Sequence, residues 1–289
     1  MTARSAVAKQ GDVAVAAAFS LEATRPTLTE IAGLAGLLPK GTAVFLSAVG
    51  AQTLDELLTT ATRLRAAGLE PVPHLAARRI ASREELLRFL LRARVEAGLR
   101  RVLVIGGDVE RHGVYPDALA LIRDDLLGRA GIETVGIAGY PEGHPRIAPA
   151  TLAAALRDKL TAAAAAGLAC HIVTQFSFAP DRVVAWLRES RARGIIVPIK
   201  VGMAGPTGVP ALLRYARRCG VATSLRGLVS GAAAGLAGAL SAHVGPDHIL
   251  HAIEAARGEI GDVAPHYFSF GGVLATARYA MQPGLAQSA

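Results

Sequence analysis

From residue 13 to residue 270, short apolar runs alternate with longer stretches in which apolar positions recur every three to four residues. A strand covered on both faces reads as a continuous apolar run, whereas a helix lying on it shows a 3.6-residue stripe. The runs predict strands at 13–21 (VAVAAAFSL), 43–49 (AVFLSAV), 71–76 (PVPHLA), 101–107 (RVLVIGG), 134–139 (TVGIAG), 170–178 (CHIVTQFSF), 195–202 (IIVPIKVG) and 266–270 (HYFSF). Between them lie helical patterns such as TLDELLTTATRLRAAG, REELLRFLLRARVEAG, YPDALALIRDDLLGRAG, PATLAAALRDKLTAAAAAG, PDRVVAWLRESRARG and PALLRYARRCG. Most end in a glycine suited to a helix C-terminus. The connection between the seventh and eighth runs is the longest, with room for at least two further helices.

Eight βα units of roughly 30 residues predict an α/β protein of the (β/α)8 TIM-barrel class rather than an open doubly wound sheet. No GxGxxG opens a helix after a strand, so the phosphate fingerprint of the dinucleotide-binding alternative is missing. No linker divides the chain, which predicts a flexible segment over residues 1–10 and a single barrel domain over 11–289, with extra helices between strands seven and eight. Such a barrel concentrates function at the C-terminal ends of its strands.

Composition narrows the chemistry. With 52% hydrophobic residues and only 4% aromatics, the core must be aliphatic. The formal charge of +8 raises nucleic-acid binding, but the arginines scatter over helix faces without an aromatic stacking platform, so an anionic small molecule suits the surplus better. Cys170 and Cys219 have no metal-ligand spacing, which predicts neither a disulfide framework nor a metal site. Asp12 interrupts an otherwise signal-like N-terminus, and a cytoplasmic protein is expected. Residues 227–246 carry no Asp, Glu, Lys or Arg, and glycines at 227, 231 and 235 form a stripe. Its weak hydrophobicity predicts a helix packed on the barrel or at a subunit contact, not a membrane span; a homo-oligomer is expected.

Polar residues at or near the strand ends are Glu22, Ser47, His74, Asp108, the loop Tyr140–Arg146, Gln175 and His266. Glu22 follows FSL, so its carboxyl is expected against an apolar wall, where burial raises the pKa from about 4.3 toward neutrality and suits a general acid. The alternative is an ion pair to Arg25 or another arginine. Asp108 follows two glycines whose bare backbone admits a flat ligand, or else it caps a short helix. In AGYPEGHPR the prolines and Gly143 fix a rigid polar loop at a strand end. Lys200 either neutralises an anionic ligand or pairs with a barrel carboxylate, and Trp186 reads as a helix anchor.

Together FSLEATRP, VPHLAARR, VLVIGGD, VGIAGYPEGHP and IVTQFSF, in that order, resemble the methylenetetrahydrofolate reductases nearly end to end. These are flavoprotein (β/α)8 barrels that pass hydride from a nicotinamide through FAD to the one-carbon unit of folate. The resemblance implies that Glu22 protonates folate N10, that Asp108 sits by flavin and pterin and favours hydride release, and that Gln175 hydrogen-bonds the folate ring. It implies FAD contacts from Ser47, His74, Asp108, Tyr140 and His144, with Arg157 and Lys159 standing for a basic pair on the FAD phosphates, and NAD(P)H as co-substrate.

The chain departs from that pattern in several places. The interval before the sixth strand is stretched by alanines, PHLTC reads PHLAA, Arg-Gly-Asp reads Gly-Gly-Asp, and the strand-eight Thr-Leu-Asn-Arg signature reads HYFSFGG. Three functions follow as expectations: interconversion of 5,10-methylenetetrahydrofolate and 5-methyltetrahydrofolate in one-carbon metabolism, a methyltetrahydrofolate-oxidising enzyme without tightly bound FAD, or a non-catalytic folate-binding paralogue acting through a partner.

Overall fold

The computed structural model describes residues 19–50, 52–110, 113–208, 243–244 and 246–282. Residues 13–18 of the first predicted strand, Cys219 and the glycine-striped segment 227–246, apart from a few residues at its end, lie outside them, as do residues 1–10. Strands β1 (Ser20–Ala23), β2 (Ala43–Leu46), β3 (Glu70–Ala76), β4 (Arg101–Ile105), β5 (Thr134–Gly139), β6 (Ala169–Thr174) and β7 (Ile199–Ala204) run in sequence around a closed parallel barrel. A two-stranded ribbon, β8 (Thr207–Gly208) with β9 (His243–Val244), follows β7. β10 (Val263–Phe268) then closes the barrel between β7 and β1. The predicted TIM-barrel architecture is therefore present.

The helices between strands are α1 (Leu28–Leu37), α2 (Leu54–Ala66), α3 (Arg83–Glu96), α4 (Ala118–Arg123), α5 (Leu126–Arg129), α6 (Pro149–Ala165), α7 (Pro180–Ala192), α8 (Asp247–Ala255), α9 (Arg257–Ile260) and α10 (Val273–Ala280). Their starts are written in the sequence: Thr27 with Glu30 and Thr53 with Glu56 form capping boxes, and prolines open α6 and α7. The helical pattern at 115–131 breaks into α4 and α5 because Asp124 turns its carboxylate inward. It accepts from the backbone N–H of Leu126 and the Tyr115 hydroxyl and pairs with Arg83, at 3.1, 2.7 and 2.7 Å.

Two strand boundaries also shift for identifiable reasons. β6 stops at Thr174, whose hydroxyl accepts from the Gly202 N–H at 2.8 Å and so takes the place of a ladder bond. Gly202 is needed for that approach, since a methyl group on it would lie 2.4 Å from the Thr174 carbonyl oxygen. β7 begins at Ile199 rather than 195 because the Arg191 guanidinium binds the carbonyls of Ile195 and Val197, each at 2.8 Å, leaving that stretch outside the ladder.

Side chains alternate across the barrel wall. Leu21, Val44, Leu75, Val104, Ile137, Ile172, Val201 and Tyr267 belong to the core under the helices, while Ala43, Phe45, Val72, Leu103 and Val173 fill the interior. Phe45 stands among three imidazoles, with ring centroids 6.2 Å from His74, 6.1 Å from His171 and 4.8 Å from His266. The alternation that points Leu21 outward turns Ser20 and Glu22 inward. Lys200, second in β7, lies toward the strand N-termini, and its ammonium is held below its ordinary pKa by burial and the Arg101 charge, against the pull of Asp262. Trp186 anchors α7 across Gly139, as a helix anchor should.

His171 gives this core a pH dependence. Burial, then the charges of Lys200, Arg101 and His266, push its imidazole down to about 3. The folded ring stays neutral where the unfolded ring, with a pKa of about 6.5, takes a proton, so stability falls as pH drops from about 6.5 toward 3, by at most about 1.4 kcal/mol per pH unit. In urea titrations across that window, His171→Leu should remove this share of the slope; an unchanged slope would assign it to other groups.

Candidate functional site

Glu22 is the third residue of β1 and points into the C-terminal mouth of the barrel, its side chain 13% exposed. The parallel register sets its surroundings, pairing Glu22 with Phe45 on β2 and with Phe268 on β10, and Ser20 with His266. The Ser47 hydroxyl donates to Oε1 at 2.5 Å, and the Thr24 hydroxyl donates to Ser47 Oγ at 3.1 Å. On the other carboxylate oxygen, His266 Nε2 lies at 3.4 Å and His74 Nε2 at 3.6 Å. Ser269 Oγ fixes the backbone by donating to the Glu22 carbonyl at 2.5 Å.

These neighbours correct the expectation for Glu22. Burial does push its carboxyl pKa up, but the His74 charge, the hydrogen bond and charge of His266 and the Ser47 hydroxyl outweigh it and hold the carboxyl below its ordinary value. His74 and His266 are themselves pushed down, chiefly by burial. The cluster is thus a buried carboxyl flanked by two imidazoles that favour its ionised form. Among the described residues no arginine pairs with Glu22. A cleft of about 300 Å³ opens over the carboxylate, walled by Thr24, Pro26, Glu30, Phe268 and Phe270. A larger cleft, of about 470 Å³, lies on the flank between α4, α5 and α6 and touches no strand-end residue.

Gln175 follows β6 at the same mouth. Its backbone N–H continues the ladder to the Gly139 carbonyl at 2.9 Å, whereas both polar atoms of its buried amide lack a partner among the described residues. An amide aimed into a mouth with both ends unsatisfied is built for a ligand that donates and accepts. Asp108 stands at the rim, 59% exposed at its side chain, and Arg79 binds it at 2.5 Å. It does not cap a helix, since α4 is capped by Asp117. Next to it the Arg78 guanidinium donates to the Gly107 carbonyl and covers Gly106, where a methyl group would lie 3.6 Å from Nη2. Both arginines come from a 3-10 turn, Ala77–Arg79, directly after β3. They stand at the rim beside Asp108, and the PHLAARR sequence carries them four and five residues beyond the histidine.

The loop after β5 is braced as a unit. Gly143 adopts φ 79° and its N–H closes the turn on the Tyr140 carbonyl at 3.0 Å. The rings of Tyr140 and His144 meet edge to face at 5.5 Å. The Arg146 backbone N–H donates to His144 Nδ1 at 3.2 Å, and burial together with the Arg146 charge keeps the imidazole below its ordinary pKa. Glu142 reaches across to the loop after β6, accepting from the Ser177 hydroxyl at 2.6 Å and the Phe178 N–H at 3.3 Å.

The structure thus gathers Glu22, Ser47, His74, Asp108, Tyr140, His144 and Gln175 at one end of the barrel. It leaves out Arg157 and Lys159. Arg157 is exposed halfway along α6, and Lys159 is buried beside Cys170 at the opposite, N-terminal end of β6. Ser47 and His74 are 6% exposed and face Glu22.

A parallel (β/α)8 barrel with a buried carboxylate at its C-terminal mouth is a common enzyme scaffold, and fold alone names no reaction. The family model described as methylenetetrahydrofolate reductase matches residues 22–224. The chain belongs to that family. Over 151 residues, 52% of the chain, it is 31% identical to the 5,10-methylenetetrahydrofolate reductase of Pectobacterium carotovorum subsp. carotovorum, covering 48% of that protein. Over 149 residues it is 28% identical to the enzyme of the same name from Buchnera aphidicola subsp. Baizongia pistaciae (strain Bp), again covering 48%. The match therefore spans about half the length of these curated relatives. Among the described residues, no helix is long and apolar enough to cross a membrane.

If Glu142 ties the two loops together, Glu142→Ala should speed amide hydrogen exchange at residues 140–147 and 176–179 by about tenfold, the equivalent of about 1.4 kcal/mol of local stability, and leave α2 and α3 unchanged. Faster exchange confined to one loop would show that they are held separately.

Proposed function

We propose that this chain interconverts 5,10-methylenetetrahydrofolate and 5-methyltetrahydrofolate, with NAD(P)H as the hydride donor in one direction and NAD(P)+ as the acceptor in the other. The observation that carries this reading is the pairing, at one mouth, of a buried Glu22 carboxylate with the unsatisfied Gln175 amide. Opening the methylene bridge needs a proton at a folate amine, and closing it needs that proton removed, so one carboxyl serves both directions. Gln175 supplies the donor and acceptor that a pterin edge requires, and Phe268 and Phe270 give a flat ring an apolar wall. Membership of the family and the names of the two relatives support the same reaction.

FAD, when bound, would supply a hydride relay between nicotinamide and folate. The residues fit it only in part. Gly106 and Gly107, beside Asp108, lie under the Arg78 guanidinium, which would have to move for a flat ring to reach their backbone, and Tyr140 and His144 stand on the adjacent loop after β5. The phosphate grip expected from Arg157 and Lys159 is absent from the rim, and Ser47 and His74 are taken up by Glu22. No step is therefore routed through FAD. The same observation favours a second reading, in which the chain oxidises methyltetrahydrofolate in methyl-group catabolism without tightly held flavin.

The colour and turnover of the purified protein decide between them. A yellow protein, with the flavin band near about 450 nm bleached by NADH and restored by methylenetetrahydrofolate, establishes the flavin route. A colourless protein with folate-dependent NADH turnover establishes the second reading, and a protein inert with every folate overturns both. Glu22→Gln should lower the folate-dependent rate by about 10² or more while nicotinamide affinity stays unchanged. Equal loss of both would remove Glu22 from the folate step.

A further inference from the structure

His266 is fully buried on β10, directly across from Ser20 in the parallel register. The Ser20 hydroxyl meets its Nδ1 at 2.9 Å, and its Nε2 faces Glu22 Oε2 at 3.4 Å. With the hydroxyl donating to Nδ1, the ring proton resides on Nε2 and points at the carboxylate. The ring is clamped between Phe45 and Phe268, with centroids at 4.8 and 5.0 Å, so it cannot turn away. The titratable groups that face it are Glu22 on β1, His74 on β3, His171 on β6 and Lys200 on β7. Of these, Glu22 alone draws a proton onto the Nε2 side; the others repel it.

We propose that His266 positions Glu22 and supplies the proton that Glu22 delivers, with Ser20 setting the tautomer. This rests on the folate reading above. The resting pair is neutral imidazole and carboxylate, and one proton is taken up from solvent to give the imidazolium. The Nε2–H bond on the side of Glu22 then breaks as the Oε2–H bond forms, and Oε2–H breaks in turn as an N–H bond forms on the folate amine. The carboxylate is restored and the imidazole keeps the solvent proton on Nδ1, beside Ser20 Oγ, until loss of that proton and gain of one at Nε2 reset the tautomer, so each turnover consumes one solvent proton and no oxidant or reductant is needed in the relay. The reverse sequence returns the proton to solvent.

The test has two arms. In the folate-free protein, nitrogen-resolved NMR of labelled histidines should show His266 as the Nε2–H tautomer. Ser20→Ala should mix the tautomers, and Glu22→Gln should shift the His266 resonances. An Nδ1–H tautomer, or resonances blind to both substitutions, would overturn the proposal without any folate being present. In the kinetic arm, His266→Gln keeps a donor near the Nε2 position but cannot carry the extra proton. Folate affinity should stay within about threefold, while the alkaline limb of the folate-dependent rate moves down by about one pH unit and the rate at pH 7 falls by about tenfold or more. His266→Leu, which removes the donor as well, should also weaken folate binding. An unchanged pH profile in His266→Gln would overturn the relay. A wild type that binds no folate would instead overturn the functional reading, and the NMR arm would still decide whether His266 holds Glu22.

Discussion

The site depends on a carboxylate buried inside a barrel. Taking a charge out of water is costly unless hydrogen bonds and opposite charge meet it. Around Glu22 the Ser47 hydroxyl bonds one oxygen and His266 the other, while His74 stands 3.6 Å away and contributes through its charge alone. Each compensating group comes from a different strand, so the carboxylate is satisfied only when β1, β2, β3 and β10 are in register. The single aromatic at the centre, Phe45, then keeps the imidazoles from collapsing on one another. Closure of the barrel and ionisation of its candidate acid are one structural fact.

Around this fixed centre the rim is tied by side chains that bridge neighbouring loops. Arg79 joins the turn after β3 to Asp108 after β4, and Glu142 joins the loop after β5 to Ser177 after β6. Arg78 lies over Gly106 and Gly107 on the first tie, and the Gln175 amide is buried just before the second. The cleft itself opens on the other side of the mouth, beside Glu22, Phe268 and Phe270, where an apolar wall meets the carboxylate.

Much of the fold is legible in the chain, because apolar runs of strand length and glycine-closed helical stripes are local signals. The sheet order and the C-terminal placement of Glu22, Asp108 and Gln175 follow from those signals and the barrel rule. What sequence does not disclose is pairwise geometry across the barrel. The histidines beside Glu22 lie 52 and 244 residues away in sequence, so an apolar wall was the natural expectation, and the pKa direction reverses once they are seen. Arg157 and Lys159 are a comparable case. The family resemblance implies a basic pair there, but ten residues of helix carry Lys159 about 15 Å down α6, away from the mouth. Arg78 and Arg79 lie on a 3-10 turn, which leaves no periodic mark, so only their place directly after the strand-three motif points to the rim.

Infrared difference spectroscopy of wild type against Glu22→Gln, with and without 5,10-methylenetetrahydrofolate, reads the protonation of the Glu22 carboxyl directly. At pH 7 the difference should contain an ionised carboxylate band in the free protein and a protonated carboxyl band once the folate is bound. A protonated carboxyl in the free protein, or a carboxylate that the folate leaves unchanged, would contradict a Glu22 that is held ionised by its histidines and recruited as the acid.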